Sequence, residues 1–102
     1  MRARALVPLK QGTRLLDVVD LADVCGLHPD TVRKLVRLGL VDPLTDRPLL
    51  FTYESAIRVR RIRRIRSSFG GTYQTAGLIL ELSERVAELE RRLTALEESQ
   101  WT

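Results

Sequence analysis

The amino-acid sequence predicts a mainly α-helical chain: a helix-turn-helix with a small hairpin wing, followed by a long C-terminal coiled-coil helix. Three stretches carry that expectation. Residues 20–43, DLADVCGLHPDTVRKLVRLGLVDP, read as two short helices joined at a glycine and halted by a proline. Residues 44–51, LTDRPLLF, read as a hairpin with Asp46-Arg47-Pro48 at its tip. From Ile79 to Leu96, apolar residues recur at spacings of 3, 4, 3, 4 and 3, the seam of a coiled coil.

In chain order, residues 1–14 form a basic leader. They carry Arg2, Arg4, Lys10 and Arg14 without an acid, and Pro8 and Gly12 interrupt any periodicity. The plain reading is a frayed or strand-like segment; contact with an acidic surface is the alternative. Leu15 to Val18 suit a short strand. Asp20 is expected to cap the first helix, whose inward positions would be Leu21, Val24 and Cys25, and Gly26 supplies the turn. His28-Pro29-Asp30 opens the second helix, since Pro29 at the first helical position gives up no hydrogen bond. Val32, Leu35, Val36 and Leu38 face inward, Gly39 ends the helix, and Pro43 prevents its resumption.

Thr52 is placed to cap a third helix, from Tyr53 to about Ser68. Val59, Ile62, Ile65 and Phe69 make an apolar arc of about 120° on it. Arg60, Arg61, Arg63 and Arg64 lie opposite. Arg58 and Arg66 fall at the edge of the arc, so each must reach water along its stem or meet a carboxylate. This cluster would attract phosphate; a solvated face with some internal pairing explains it equally well. Gly70-Gly71 break the helix and Thr72 caps the last one. There Ile79, Val86 and Leu93 share one core position of the heptad, and Leu82, Leu89 and Leu96 share the other. A homodimer through this seam is expected, the alternative being that it packs onto the chain's own domain. Arg85 and Arg92 followed by Glu90 and Glu97 suit a parallel pair. Ser99 to Thr102 reads as a loose tail. The chain thus divides into a leader (1–14), a helix-turn-helix domain (15–69) and a dimerisation helix with a short tail (70–102).

Gly-Leu-His-Pro-Asp-Thr-Val-Arg (26–33) and Arg-Leu-Gly-Leu-Val-Asp-Pro (37–43) resemble the winged-helix region of MerR-type proteins. From about Leu15 to Leu96 the chain resembles one branch more closely, the CbpM-like chaperone modulators. The further residues of that resemblance are Phe51, the run from Arg60 to Arg66, Thr72-Tyr73 with Gly77, Leu78 to Leu82, and Val86 to Glu90. It implies a protein that binds the J-domain of a DnaJ- or CbpA-like co-chaperone and restrains its action on DnaK. A J-domain presents a basic helix, so Glu81, Glu84 and Glu88, one turn apart on one side of the last helix, are the candidate contacts; a solvated coiled-coil face explains them too.

The other reading is a DNA-binding transcriptional regulator of MerR or HspR type. For DNA, the second helix offers Arg33, Lys34 and Arg37 with Asp30, and the third helix Arg60, Arg61, Arg63 and Arg64. Arg33 matches the arginine that follows a Thr-Leu pair in MerR-type recognition helices; here the pair is Thr31-Val32. Lys34 departs from the aromatic that often follows, and Leu50-Phe51 stands where MerR-type wings end in an Arg-aromatic phosphate clamp. Without that clamp, DNA binding is expected to be weak, salt-sensitive and without a strong sequence preference. MerR-type dimers usually pair the last helix antiparallel, against the heptad charges.

Composition narrows the classes. With 102 residues, the chain is one small domain with a helical extension. Net charge is +4, yet residues 78–98 carry Glu81, Glu84, Glu88, Glu90, Glu97 and Glu98 against Arg85, Arg91 and Arg92. A basic head and an acidic tail imply different faces for different partners. Aromatics at 5% argue against a base-stacking platform for single strands. The single cysteine, Cys25, excludes an internal disulfide and a cysteine zinc cage, and its apolar position suits an inert buried thiol. The single histidine, His28, is placed for a helix start. No paired carboxylates, metal-ligand cluster or phosphate-binding glycine loop points to an enzyme, a cofactor or a metal. No apolar run reaches the length of a membrane span, and a cytoplasmic location is expected.

Overall fold

The computed structural model describes residues 5–8 and 14–101. Arg2, Arg4 and Lys10 of the basic leader therefore lie outside the described residues. Strand β1 (Ala5–Pro8) pairs antiparallel with β2 (Arg14–Leu16), Ala5 opposite Leu16 and Pro8 opposite Arg14. Helix α1 (Val18–Cys25) starts directly after β2. Its cap is Asp17, whose Oδ1 accepts the Asp20 N–H at 2.8 Å, so the expectation of a cap at Asp20 is corrected by one turn. Asp20 instead sits buried in the first turn, where the exposed N–H groups of the helix end favour an acid. The buried face of α1 includes Leu21, Ala22 and Cys25, whereas Val24 points outward, contrary to expectation.

Gly26 ends α1 with φ +70°, a conformation that needs a residue without Cβ strain, and Leu27 donates back to the Ala22 carbonyl at 2.9 Å. Helix α2 (Pro29–Arg37) follows; the Asp30 N–H donates to His28 Nδ1 at 3.0 Å. Val32 and Leu35 are fully buried, and Val36 and Leu38 are half-buried. Gly39 repeats the left-handed exit at φ +74°, and Leu40 donates to the Leu35 carbonyl at 3.0 Å.

The wing is a two-stranded antiparallel hairpin, β3 (Thr45–Asp46) and β4 (Leu49–Leu50), turning at Arg47-Pro48 as the tip residues predicted. Phe51 continues β4 and exchanges two backbone hydrogen bonds with Leu16, at 2.7 and 2.9 Å. That bridge ties the wing to β2, and the Phe51 ring is fully buried among Val18, Leu21, Val32, Leu35, Val41, Ala56 and Val59.

Helix α3 (Tyr53–Phe69), capped by Thr52, packs on α1 and turns at Gly70-Gly71 into α4 (Tyr73–Trp101). Thr72 Oγ1 accepts the Thr75 N–H at 3.1 Å, which caps α4 as expected. Ala56, Val59 and Ile62 are the buried face of α3; Ile65 is half-buried. Phe69, expected on the apolar arc, is 75% exposed because the chain leaves the helix there. Ile62, Ala76 and Leu80 form a second small core between α3 and α4. Ser99 to Trp101, read as a loose tail, continue α4: no glycine or proline follows Gly77 to break it.

Candidate nucleic-acid interface

The buried stripe of α2, Val32 and Leu35, turns Asp30, Arg33, Lys34 and Arg37 to solvent together. Arg33 Nη1 donates to Asp30 Oδ1 at 3.0 Å across one turn, which orients the guanidinium along the helix without covering it. Lys34 and Arg37 lie in the last turn, where the helix dipole favours cations. The wing adds Arg47, exposed at the tip of the hairpin. Sequence reasoning did not count Arg47 among the candidates, although it had placed that residue at the tip. Leu50 and Phe51, by contrast, are 6% and 0% exposed and belong to the core.

The structure divides the arginines of α3. Arg60, Arg63 and Arg64 line one cleft with Ser67, whereas Arg61 and Arg64 border a groove against Leu80, Ser83, Glu84 and Ala87 of α4. The Arg63 guanidinium lies over the α1–α2 turn, close enough that a Cβ built on Gly26 would be 3.4 Å from Nη1. The two arginines at the edge of the apolar arc find different partners. Arg58 Nη1 donates to both carboxylate oxygens of Glu84, at 3.0 and 3.1 Å, and its Nε donates to the Leu40 carbonyl at 3.0 Å. Arg66 lies over the Tyr73 ring, 4.3 Å from its centroid.

Glu81, Glu84 and Glu88 do share one side of α4, lining a cleft with Arg85, Leu89 and Arg92. Glu84 is held by Arg58, and Glu88 by Arg91 and Arg92 at 2.6 and 3.2 Å. Those hydrogen bonds hold the Glu88 carboxyl below its usual pKa. Along the adjoining stripe of α4, which shares Leu89 with that cleft, Leu82, Val86, Leu89, Leu93 and Leu96 are each more than half exposed, and Ile79 is half-buried. The chain's own domain meets α4 through Ala76, Leu80 and Glu84 instead, so the seam is not packed onto that domain.

Cys25 is buried and its thiol donates to the Ala56 carbonyl at 3.5 Å. Burial pushes its pKa up, against the pull of Arg60 and Arg63. A protonated thiol out of reach of solvent is a poor nucleophile. Among the described residues no group of three or more His, Cys, Asp or Glu side chains is arranged to hold a metal ion. No helix among them is long and apolar enough to cross a membrane.

No family model matches the sequence. A protein of Streptomyces coelicolor (strain ATCC BAA-471 / A3(2) / M145), provisionally described as heat shock protein HspR, is 30% identical over 97 residues. That match covers 93% of this chain and 64% of the relative's length. The similarity therefore runs through both the helix-turn-helix and the last helix. By its architecture, the chain is a mainly α winged helix-turn-helix with a long C-terminal helix, an arrangement consistent with a MerR-like fold.

Proposed function

We propose that the chain is a homodimeric DNA-binding regulator of the MerR/HspR type. The observation that carries this reading is the exposed basic face of α2, Arg33, Lys34 and Arg37. Arg47 adds an exposed cation at the tip of the wing. A helix of this size fits the major groove, and arginine there reads guanine edges while wing cations hold phosphates. The similarity to HspR supports the same assignment. The seam from Leu82 to Leu96 supplies the second copy, so that two recognition helices address two half-sites.

Selection from a random DNA pool at physiological salt tests it. The expected winner is palindromic. Arg33→Ala with Arg37→Ala should weaken its binding by roughly 10²-fold, at about 1–3 kcal/mol for each lost base contact. Arg47→Ala should weaken all sequences alike and flatten the salt dependence. Enrichment of no sequence over random DNA would overturn the reading.

A second reading, a CbpM-like modulator of a J-domain, is favoured by Leu50 and Phe51. Both are buried where MerR-type wings carry their phosphate clamp. Of the three candidate glutamates, Glu84 and Glu88 already hold arginines, so reversing them would also disturb the fold's own ion pairs. Glu81→Lys is the cleaner probe. Under this reading, calorimetric titration should show J-domain binding that weakens severalfold in Glu81→Lys and with added salt. Absence of wild-type binding to every J-domain the organism encodes would end it.

A further inference from the structure

Three segments far apart in the sequence meet where α2 ends against α4. The Leu40 side chain lies on Gly77; a Cβ built there would come within 2.5 Å of Leu40 Cδ2. The Leu40 carbonyl accepts from Arg58 Nε at 3.0 Å, while Nη1 of the same guanidinium is held by both oxygens of Glu84. Gly77 and Glu84 are two helical turns apart on one face of α4, about 10 Å along its axis. One anchor would allow the recognition helix to rock against α4. Leu40, at the exit of the recognition helix, is instead tied to two points of α4, directly at Gly77 and through Arg58 at Glu84, which resists its sliding along α4.

We propose that Arg58 is a positioning residue which, with Leu40 and Gly77, clamps the recognition helix to α4 and thereby sets the separation of the two recognition helices in the dimer. This rests on the DNA-binding reading above. Arginine is needed because its two partners take different donors of one planar group: Nε for the Leu40 carbonyl and Nη1 for the Glu84 carboxylate. Lysine would keep the ion pair and lose the fork. The Arg58–Glu84 pair is partly exposed, so it adds little to stability as an ion pair alone. The clamp also lies off the seam, which leaves the dimer contact untouched by its loss.

Two measurements test the proposal. In a Cys25→Ser background, spin labels at Arg37→Cys and Thr94→Cys, diluted with unlabelled chain, report the distance from the recognition helix to distal α4. The parent should give one narrow distribution. Arg58→Lys and Gly77→Ala should each broaden or shift it, while circular dichroism and melting stay near the parent. An unchanged distribution in folded Arg58→Lys protein overturns the clamp.

In parallel, palindromes with varied half-site spacing are titrated with unlabelled protein. Wild type should favour one spacing by roughly tenfold or more, and Arg58→Lys should lose most of that preference without losing affinity for a single half-site. Retained spacing preference would also overturn the proposal. If wild type binds no spaced site, the DNA reading fails by itself, and the distance measurement still decides whether the clamp exists.

Discussion

Leu89→Asp is expected to turn the proposed homodimer into folded monomers. Leu89 lies at the middle of the exposed run from Leu82 to Leu96, and its side chain is 54% exposed. Association would bury two copies of it, and each substitution removes that apolar burial and asks a carboxylate to leave water. A combined loss of about 3–5 kcal/mol per dimer corresponds to a dissociation constant roughly 10²–10⁴ times weaker. Light scattering across a concentration series reads it directly. Because α1, α2 and the wing pack without help from Leu89, the monomer should keep its helical dichroism. A variant that stayed dimeric would place the interface off this seam.

Phe51→Ala should cost the most stability of any single truncation in the domain. Its ring is fully buried in the main core, and its backbone bridges the wing to β2. Emptying such a site costs about 3–5 kcal/mol. In a domain of this size that lowers the melting temperature by roughly 12–30 °C. Phe69→Ala is the matched control: its ring is 75% exposed, and a change within about 0.5 kcal/mol is expected. Helical dichroism should report both, since the lone tryptophan, Trp101, is 87% exposed at the end of α4 and senses little of the core. Equal melting of the two variants would show that Phe51 does not organise the core.

What the sequence determined by itself was the part governed by local rules. Glycine after the last helical turn, proline at the first, and threonine before a helical run each act within four or five residues. Gly26, Pro29, Gly39, Thr52 and Thr72 accordingly stand where they were read. Heptad spacing belongs to the same class, and the long α4 follows from it. The Asp17 cap was locally written too but misassigned, because Asp17 and Asp20 both satisfy the rule. The end of the preceding strand decides between them.

The tertiary structure decided which side chains are shared. Leu50 and Phe51 were legible as a departure from a phosphate clamp, yet only packing makes them core and leaves Arg47 as the wing's exposed cation. The six arginines of α3 are alike in sequence, but only the positions of α1, α2 and α4 separate them. Arg58 meets Glu84, 26 residues away, and the Leu40 carbonyl, 18 away. Arg66 rests on Tyr73, Arg63 covers Gly26, and the rest face solvent. Helical periodicity says which way a side chain points. What it meets there depends on how the helices cross, and that is set by the buried faces of α1, α3 and α4 acting together.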